Sequence, residues 1–180
     1  MYSIYSIPNY RIKKENWKIR TESIEEITNL IKSNNNYHER LTNEDTLKLN
    51  MEVDGCDNNI GELICDVLNY FDKNYGIKLT IKDIKITENK KYGIIHKNNL
   101  QSYHITIPKY NCRSDLMKIL WLNFKSKYNY PIDVGHLGSK GKFFRLPNQT
   151  KGTSDKLTKE EAIGTEHIIL NGTEEDFVLK

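Results

Sequence analysis

The sequence predicts an α+β protein, an antiparallel or mixed sheet with helices packed on it. Three observations carry this. Residues 47–54 (LKLNMEVD) and 78–88 alternate in the two-residue rhythm of strands. Ile60, Leu63, Ile64, Val67, Leu68 and Phe71 recur at i, i+3 and i+4, one buried helix face. Short segments follow one another with turn residues between them, with no repeat and no linker long enough to force a second domain.

Composition sets limits on function. A chain of 180 residues suffices for one domain with a substantial core. Hydrophobic residues at 37% and charged residues at 28% match a soluble globular chain. The net charge of +3 permits a polyanionic partner without arguing for one. Abundant Asn, Lys, Ile and Tyr with little Ala reads as AT-rich codon bias. No run of about 18 apolar residues occurs, so no membrane span is expected. The N-terminus MYSIYSIPNYRIKKENW lacks the order of a signal peptide. Cys56, Cys65 and Cys112 are odd in number and form no CxxC pair, which argues against a disulfide framework or structural zinc. An intracellular, reducing compartment is expected, not secretion.

In chain order, residues 1–20 are Tyr-rich and basic and read as an extended segment or strand. Ser23-Ile24-Glu25-Glu26 forms a capping box, and Ile24, Ile27, Leu30 and Ile31 continue it as a helix over 23–33. Asn34-Asn35-Asn36 ends that helix. Residues 37–41 form a short segment before the strand 47–54, after which Gly55 can turn the chain. Asp57, Asn58 and Asn59 offer caps for the next helix, which Asn74-Tyr75-Gly76 closes. Strands are predicted over 78–88, 92–95 and 102–108, with a loop at 96–100. Ser114 is read as the cap of a helix to about 127, with Leu116, Ile119, Leu120 and Phe124 inward. Residues 131–134 read as a short strand, 136–141 as a Gly-rich turn, and 142–146 as a strand stopped by Pro147. Residues 148–161 are a polar, basic loop, 166–170 a last strand, and the tail from Asn171 is acidic.

The chemistry begins with Glu52 and Asp54. Two apart on a strand, they share a face, while Val53 points into a core. Two like charges so close repel, and each costs free energy to bury alone. A Lys or Arg, or a pair of divalent cations, must lie between them. Ser102 and His104 share a face by the same rule and can donate to phosphate oxygens. Asp133 ends a short strand as a third carboxylate. Arg145 and Lys151 flank a turn, and their charges suit a triphosphate. Each feature has a plainer reading: a solvated strand edge, a structural Ser–His pair, a turn Asp, surface cations. Their order is the inventory of two-metal nucleotidyl transfer. His96 and His136 lie in loops, His136 near the proposed site, and each reads as solvated ahead of a ligand role; Cys56 reads as a packing residue, and 151–159 as a template or triphosphate lid or a solvated loop.

The series EVD, SYHIT and PIDVGHLGSKGKFFRLPNQTKG resembles the catalytic core of the archaeo-eukaryotic primase superfamily, in its primase-polymerase and large DNA virus primase branch. Tyr37-His38-Glu39-Arg40-Leu41 also resembles the approach to the first motif in viral members. The resemblance spans about residues 37–152. It implies an RRM-like catalytic sheet joined to a smaller N-terminal αβ unit. It implies that Glu52, Asp54 and Asp133 hold two Mg²⁺ or Mn²⁺ ions and are catalytic, that Ser102 and His104 bind the incoming nucleotide's phosphates, and that Arg145 and Lys151 contact the triphosphate. Three departures stand out. Glu leads the first motif where Asp is common, Leu100 stands where several relatives carry Lys, and the Cys/His zinc module is absent.

The expectation is therefore one primase/polymerase catalytic domain over 1–180. Residues 1–36 form an N-terminal segment and helix, 37–152 the motif-bearing core, and 153–180 a basic loop, last strand and tail. It is expected to be the N-terminal part of a larger protein, acting in the cytoplasm or at a viral replication site. The implied partners are single-stranded DNA template, NTP or dNTP, and a helicase module or other replisome component; no membrane is implied. Two other classes compete. A replication-initiator nuclease of the His-hydrophobic-His type needs two His on one strand, and only His104 is so placed. A non-catalytic nucleic-acid-binding module would favour stacking aromatics on the sheet, and the tyrosines here are scattered.

Overall fold

The structure is a computed structural model that describes residues 2–7, 18–33, 35–57, 60–89, 100–138, 142–151, 162 and 165–180. In chain order its elements are β1 (Tyr2–Ser6), β2 (Lys18–Glu22), α1 (Ile24–Ile31), β3 (Tyr37–Leu41), β4 (Thr46–Cys56), α2 (Ile60–Tyr75), β5 (Lys85–Asn89), β6 (Gln101–Arg113), α3 (Ser114–Tyr128), β7 (Ile132–Asp133), β8 (Lys142–Arg145) and β9 (Ile168–Asn171). Short 3₁₀ turns lie at Ile81–Asp83 and Glu174–Phe177. The expected α+β class holds: three helices accompany two antiparallel sheets among the described residues.

The larger sheet runs β7-β4-β6-β5-β9 and the smaller β2-β1-β3-β8. Alternation along β4 and β6 separates two kinds of row. Leu49, Met51 and Val53 lie opposite Ile107, Ile105 and Tyr103, and all six are buried. They join Leu63, Val67 and Phe71 of α2 and Met117, Trp121 and Phe124 of α3 in one core. The intervening pairs are polar: Asn50 with Thr106, Glu52 with His104, Asp54 with Ser102. By the period of two, these polar rows occupy the other face. The N-terminal strands and α1 build the smaller sheet around Ile4, Ile27 and Ile31, and β8 completes it from far along the chain.

Several local expectations change. Gly55 does not turn the chain. It adopts φ 77° and forms a bulge between Asp54 and Cys56, after which β4 still pairs Cys56 with Gln101. Residues 78–88 are not one strand, because Asp83 accepts from Thr80 N at 2.8 Å and closes a 3₁₀ turn that leaves Ile81 exposed. The strand predicted at 102–108 continues to Arg113. Ser114 does not cap α3. Arg113 holds that position without a side-chain capping bond, and Ser114 Oγ accepts from Gly138 N at 3.0 Å. The inward face of α3 is Met117, Trp121 and Phe124, whereas Leu116 and Ile119 are 53% and 56% exposed. Trp121 decides this register: it buries the largest apolar surface on the helix and donates Nε1–H to Asn50 O at 2.5 Å. The acidic tail folds inward, burying Phe177, Val178 and Leu179. The strand expected at 92–95, His96, Asn58 and Asn59, and most of the loop 151–159 lie outside the described residues. Among the described residues, no helix is long and apolar enough to cross a membrane, and all three cysteines are free, Cys56 buried.

Candidate active site

Strand register assembles the site. β4 is an internal strand, flanked by β7 and β6, so its two acids do not stand on a solvated edge. Glu52 lies opposite Asp133 on one side and His104 on the other, and β5 extends the row with Thr87 opposite His104. The next row runs Asp54, Ser102, Asn89. Residues directly opposite on an antiparallel pair share a face, so two rows present carboxylates, hydroxyls and imidazole side by side. The smaller sheet supplies the facing wall, where Arg145 of β8 lies opposite His38 of β3. Phe144 joins the sheets, its ring 4.8 Å from that of His104 and 5.2 Å from that of His136.

Between these walls lies a cavity of about 240 Å³. Glu52, Asp54, Ser102, His104, Asp133, Arg145 and Lys151 all line it. Every candidate residue from the sequence is thus brought to one place. Arg145 ends a strand, as expected, and Lys151 follows the turn beyond it, which is held by Asn148 N donating to His167 O at 2.9 Å and by Lys151 N donating to Thr165 Oγ1 at 2.8 Å.

Each acid is individually secured. Ser102 Oγ donates to Asp54 Oδ1 at 2.6 Å. Asp133 Oδ1 accepts from Gly135 N at 2.7 Å, and a Cβ at position 135 would stand 2.9 Å from that oxygen, which explains glycine there. Glu52 Oε2 lies 3.3 Å from His136 Nδ1, and Glu52 Oε1 3.5 Å from His104 Nε2. His136 is in turn anchored at 2.7 Å between Nε2 and Asn50 Oδ1. The reading of His136 as a solvated loop residue is therefore overturned: it is 6% exposed and braces Glu52.

The electrostatics follow from the burial of acids and imidazoles together with Arg145. Burial pushes the Glu52 carboxyl up, but His136, His104 and Arg145 outweigh it and hold its pKa down to about 2. Glu52 is therefore an anion throughout the physiological range. Burial lowers His104 to about 3, with Arg145, His136 and Lys151 adding to the effect against the pull of Glu52. A neutral His104 meets Glu52 as a dipole, not as an ion-pair partner. Burial and the Arg145 charge also lower His38 to about 3. Lys151 is pushed down by burial and by Arg145, with Asp54 and Glu52 opposing.

Sequence reasoning missed four lining residues: His38, Asn89, Phe143 and His167. His167 is buried, its ring stacked on His104 at 3.7 Å between centroids. Asn89 and Thr87 had a signal, since they alternate on β5 as Ser102 and His104 do on β6. His167 had none, because only the pairing of β9 with β5 carries it there.

Three carboxylates with hard oxygens on one wall suit Mg²⁺ or Mn²⁺ chemically, and Asp54 and Asp133 are exposed toward the opening. Among the described residues, however, no three His, Cys, Asp or Glu side chains are arranged to hold a metal ion. Each acid is turned to its own partner instead. Compared with known proteins, the chain matches no family model and no curated protein.

Proposed function

We propose that this protein is a nucleotidyltransferase of the primase-polymerase kind, synthesising or extending primers on single-stranded DNA. The observation that carries the reading is the convergence of Glu52, Asp54, Ser102, His104, Asp133, Arg145 and Lys151, scattered over a hundred residues, on one cavity. A solvated strand edge, a turn Asp and surface cations would have no reason to meet. In this reading the larger sheet with α2 and α3 is the RRM-like catalytic module, and the smaller sheet is the accessory unit that brings Arg145.

The roles follow from position. Arg145 and Lys151 face the acids from across the cavity and offer fixed charge to a triphosphate. Ser102 and His104 present a hydroxyl and a neutral imidazole beside it. Glu52, Asp54 and Asp133 would hold divalent cations, which supply charge compensation for an in-line displacement when bound. The walls position the reactants, and position accounts for much of such catalysis.

The test is incorporation of labelled NTP or dNTP on a single-stranded template with Mg²⁺ or Mn²⁺. Primer products are expected from the wild type. Asp54→Ala is expected to abolish incorporation while leaving the circular dichroism spectrum unchanged, and wild-type-like incorporation by that variant would sink the assignment. Nicked or covalently attached DNA would point to the nuclease class, and binding without chemistry to a recognition module.

A further inference from the structure

A line of polar atoms runs from the cavity wall into the sheet, and two of its members, Thr87 and His167, have no part in the roles above. Thr87 Oγ1 is 3.3 Å from His167 Nδ1, His167 Nε2 is 3.4 Å from Ser102 Oγ, and Ser102 Oγ is 2.6 Å from Asp54 Oδ1. Hydrogen counting orients this line. A serine hydroxyl carries one hydrogen. Ser102 places it on Asp54, because that contact is the shorter and is charge-assisted. Ser102 Oγ can then only accept from His167, which requires a hydrogen on Nε2. Nδ1 of the neutral ring then keeps its lone pair and accepts from Thr87 Oγ1, while the Thr87 carbonyl, also within reach of the ring, favours the opposite tautomer. A ring protonated at Nδ1 instead would set two lone pairs face to face between Nε2 and Ser102. The stacked His104 ring holds the plane of His167.

We propose that His167 is a positioning residue that holds the Ser102 hydroxyl hydrogen on Asp54 by donating Nε2–H to Ser102 Oγ, and that Ser102 transfers this hydrogen bond to a phosphate oxygen once a divalent cation occupies Asp54. The second half rests on the nucleotidyl-transfer reading; the first half does not. The consequence is thermodynamic coupling. Cation and nucleoside triphosphate strengthen each other's binding through one hydroxyl, by the same factor in either direction.

Two measurements test this. Long-range ¹⁵N–¹H correlation spectra of the ligand-free protein report the tautomer of His167, assigned by the loss of its signals in His167→Gln. The Nε2–H tautomer is expected, and Nδ1–H overturns the proposal whatever the protein's activity. Calorimetric titration with a non-hydrolysable α,β-imido dNTP, with and without Mn²⁺, then reads the coupling. Mn²⁺ is expected to tighten wild-type binding by about fivefold or more. In His167→Ala and in the near-isosteric Thr87→Val the factor falls well below the wild-type value, to what the direct attraction between cation and triphosphate supplies. His167→Gln, whose amide can donate to Ser102 and accept from Thr87, restores it. A merely structural role would lower the melting temperature and leave the coupling intact, which overturns the proposal. A wild type that binds neither Mn²⁺ nor nucleotide defeats the nucleotidyl-transfer reading and the hydrogen transfer, and the tautomer still decides the positioning role.

Discussion

Replacing Glu39 by glutamine removes a buried acid that ties the C-terminal residues to β3. Its side chain is wholly buried, and its carboxyl oxygens accept from Leu179 N at 2.8 Å and Lys180 N at 3.0 Å. Burial raises its pKa from 4.5 to about 7 against those two donors and the charges of Lys180 and Lys48. The folded protein therefore prefers the protonated acid. Such a group contributes its full stability below the unfolded value and loses it as pH rises through the folded value. The window runs from 4.5 to about 7, and the loss across it is roughly 3 kcal/mol. Near pH 5 the Gln variant is expected to be less stable by about 1–2 kcal/mol, since its amide nitrogen faces one backbone donor. Near pH 8 that deficit shrinks or reverses by up to roughly 3 kcal/mol. Urea unfolding of both proteins at a series of pH values measures the gap. Taking the difference cancels the buried His38, which opposes folding as pH falls below 6.5 because its own pKa is lowered to about 3. A gap that stays constant with pH refutes the reasoning. A gap that widens as pH rises means the backbone donors hold Glu39 ionised.

Two further substitutions test the packing. Gln149 is fully buried; its Nε2 donates to Ser33 O at 2.6 Å and to the Leu30 and Pro147 carbonyls, and its Oε1 accepts from Asn35 N at 3.2 Å. Gln149→Ala should cost about 2–4 kcal/mol in thermal unfolding, because several backbone groups at the end of α1 lose their partner, and a loss under about 1 kcal/mol would remove Gln149 from that role. On α3, Ile119→Glu should change stability by no more than about 0.5 kcal/mol, and Met117→Glu should cost more than about 3 kcal/mol. Equal effects in denaturant unfolding would mean that the helix faces the other way.

The sequence was most legible where chemistry and periodicity coincide. The capping box of α1 is present as read, with Glu26 N donating to Ser23 Oγ and Ser23 N to Glu26 Oε2. The pairs Glu52/Asp54 and Ser102/His104 needed only the two-residue period of a strand to share a face. That the two pairs lie directly opposite one another is a matter of register between β4 and β6, which neither strand encodes alone. On α3, Phe124 is buried and Leu120 packs against the core as expected, but Leu116 and Ile119 face out, because Trp121 takes the place against β4. The burial of His136, like that of His167, has no local signal. Its partners, Asn50 and Glu52, lie more than eighty residues earlier, so burial came from tertiary packing and not from its loop. No local pattern tells whether Glu52, Asp54 and Asp133 gather around a cation, because their spacing depends on side-chain torsions that Ser102, Gly135 and His136 set.

The completion of the smaller sheet by β8 has a kinetic consequence. His38 pairs with Arg145, and Leu179 N reaches Glu39 across 140 positions. Nearly every wall of the cavity thus closes a long loop, whose entropy must be lost before the contact returns any free energy. Local elements such as α2 can form within about a microsecond, but the acids meet Arg145 and Lys151 only after both sheets have docked. Refolding should therefore proceed on the millisecond-to-second scale of high contact order. The polar rows of β4 and β6 would remain open to solvent until that final closure, so the cavity is the last part of the molecule to become itself.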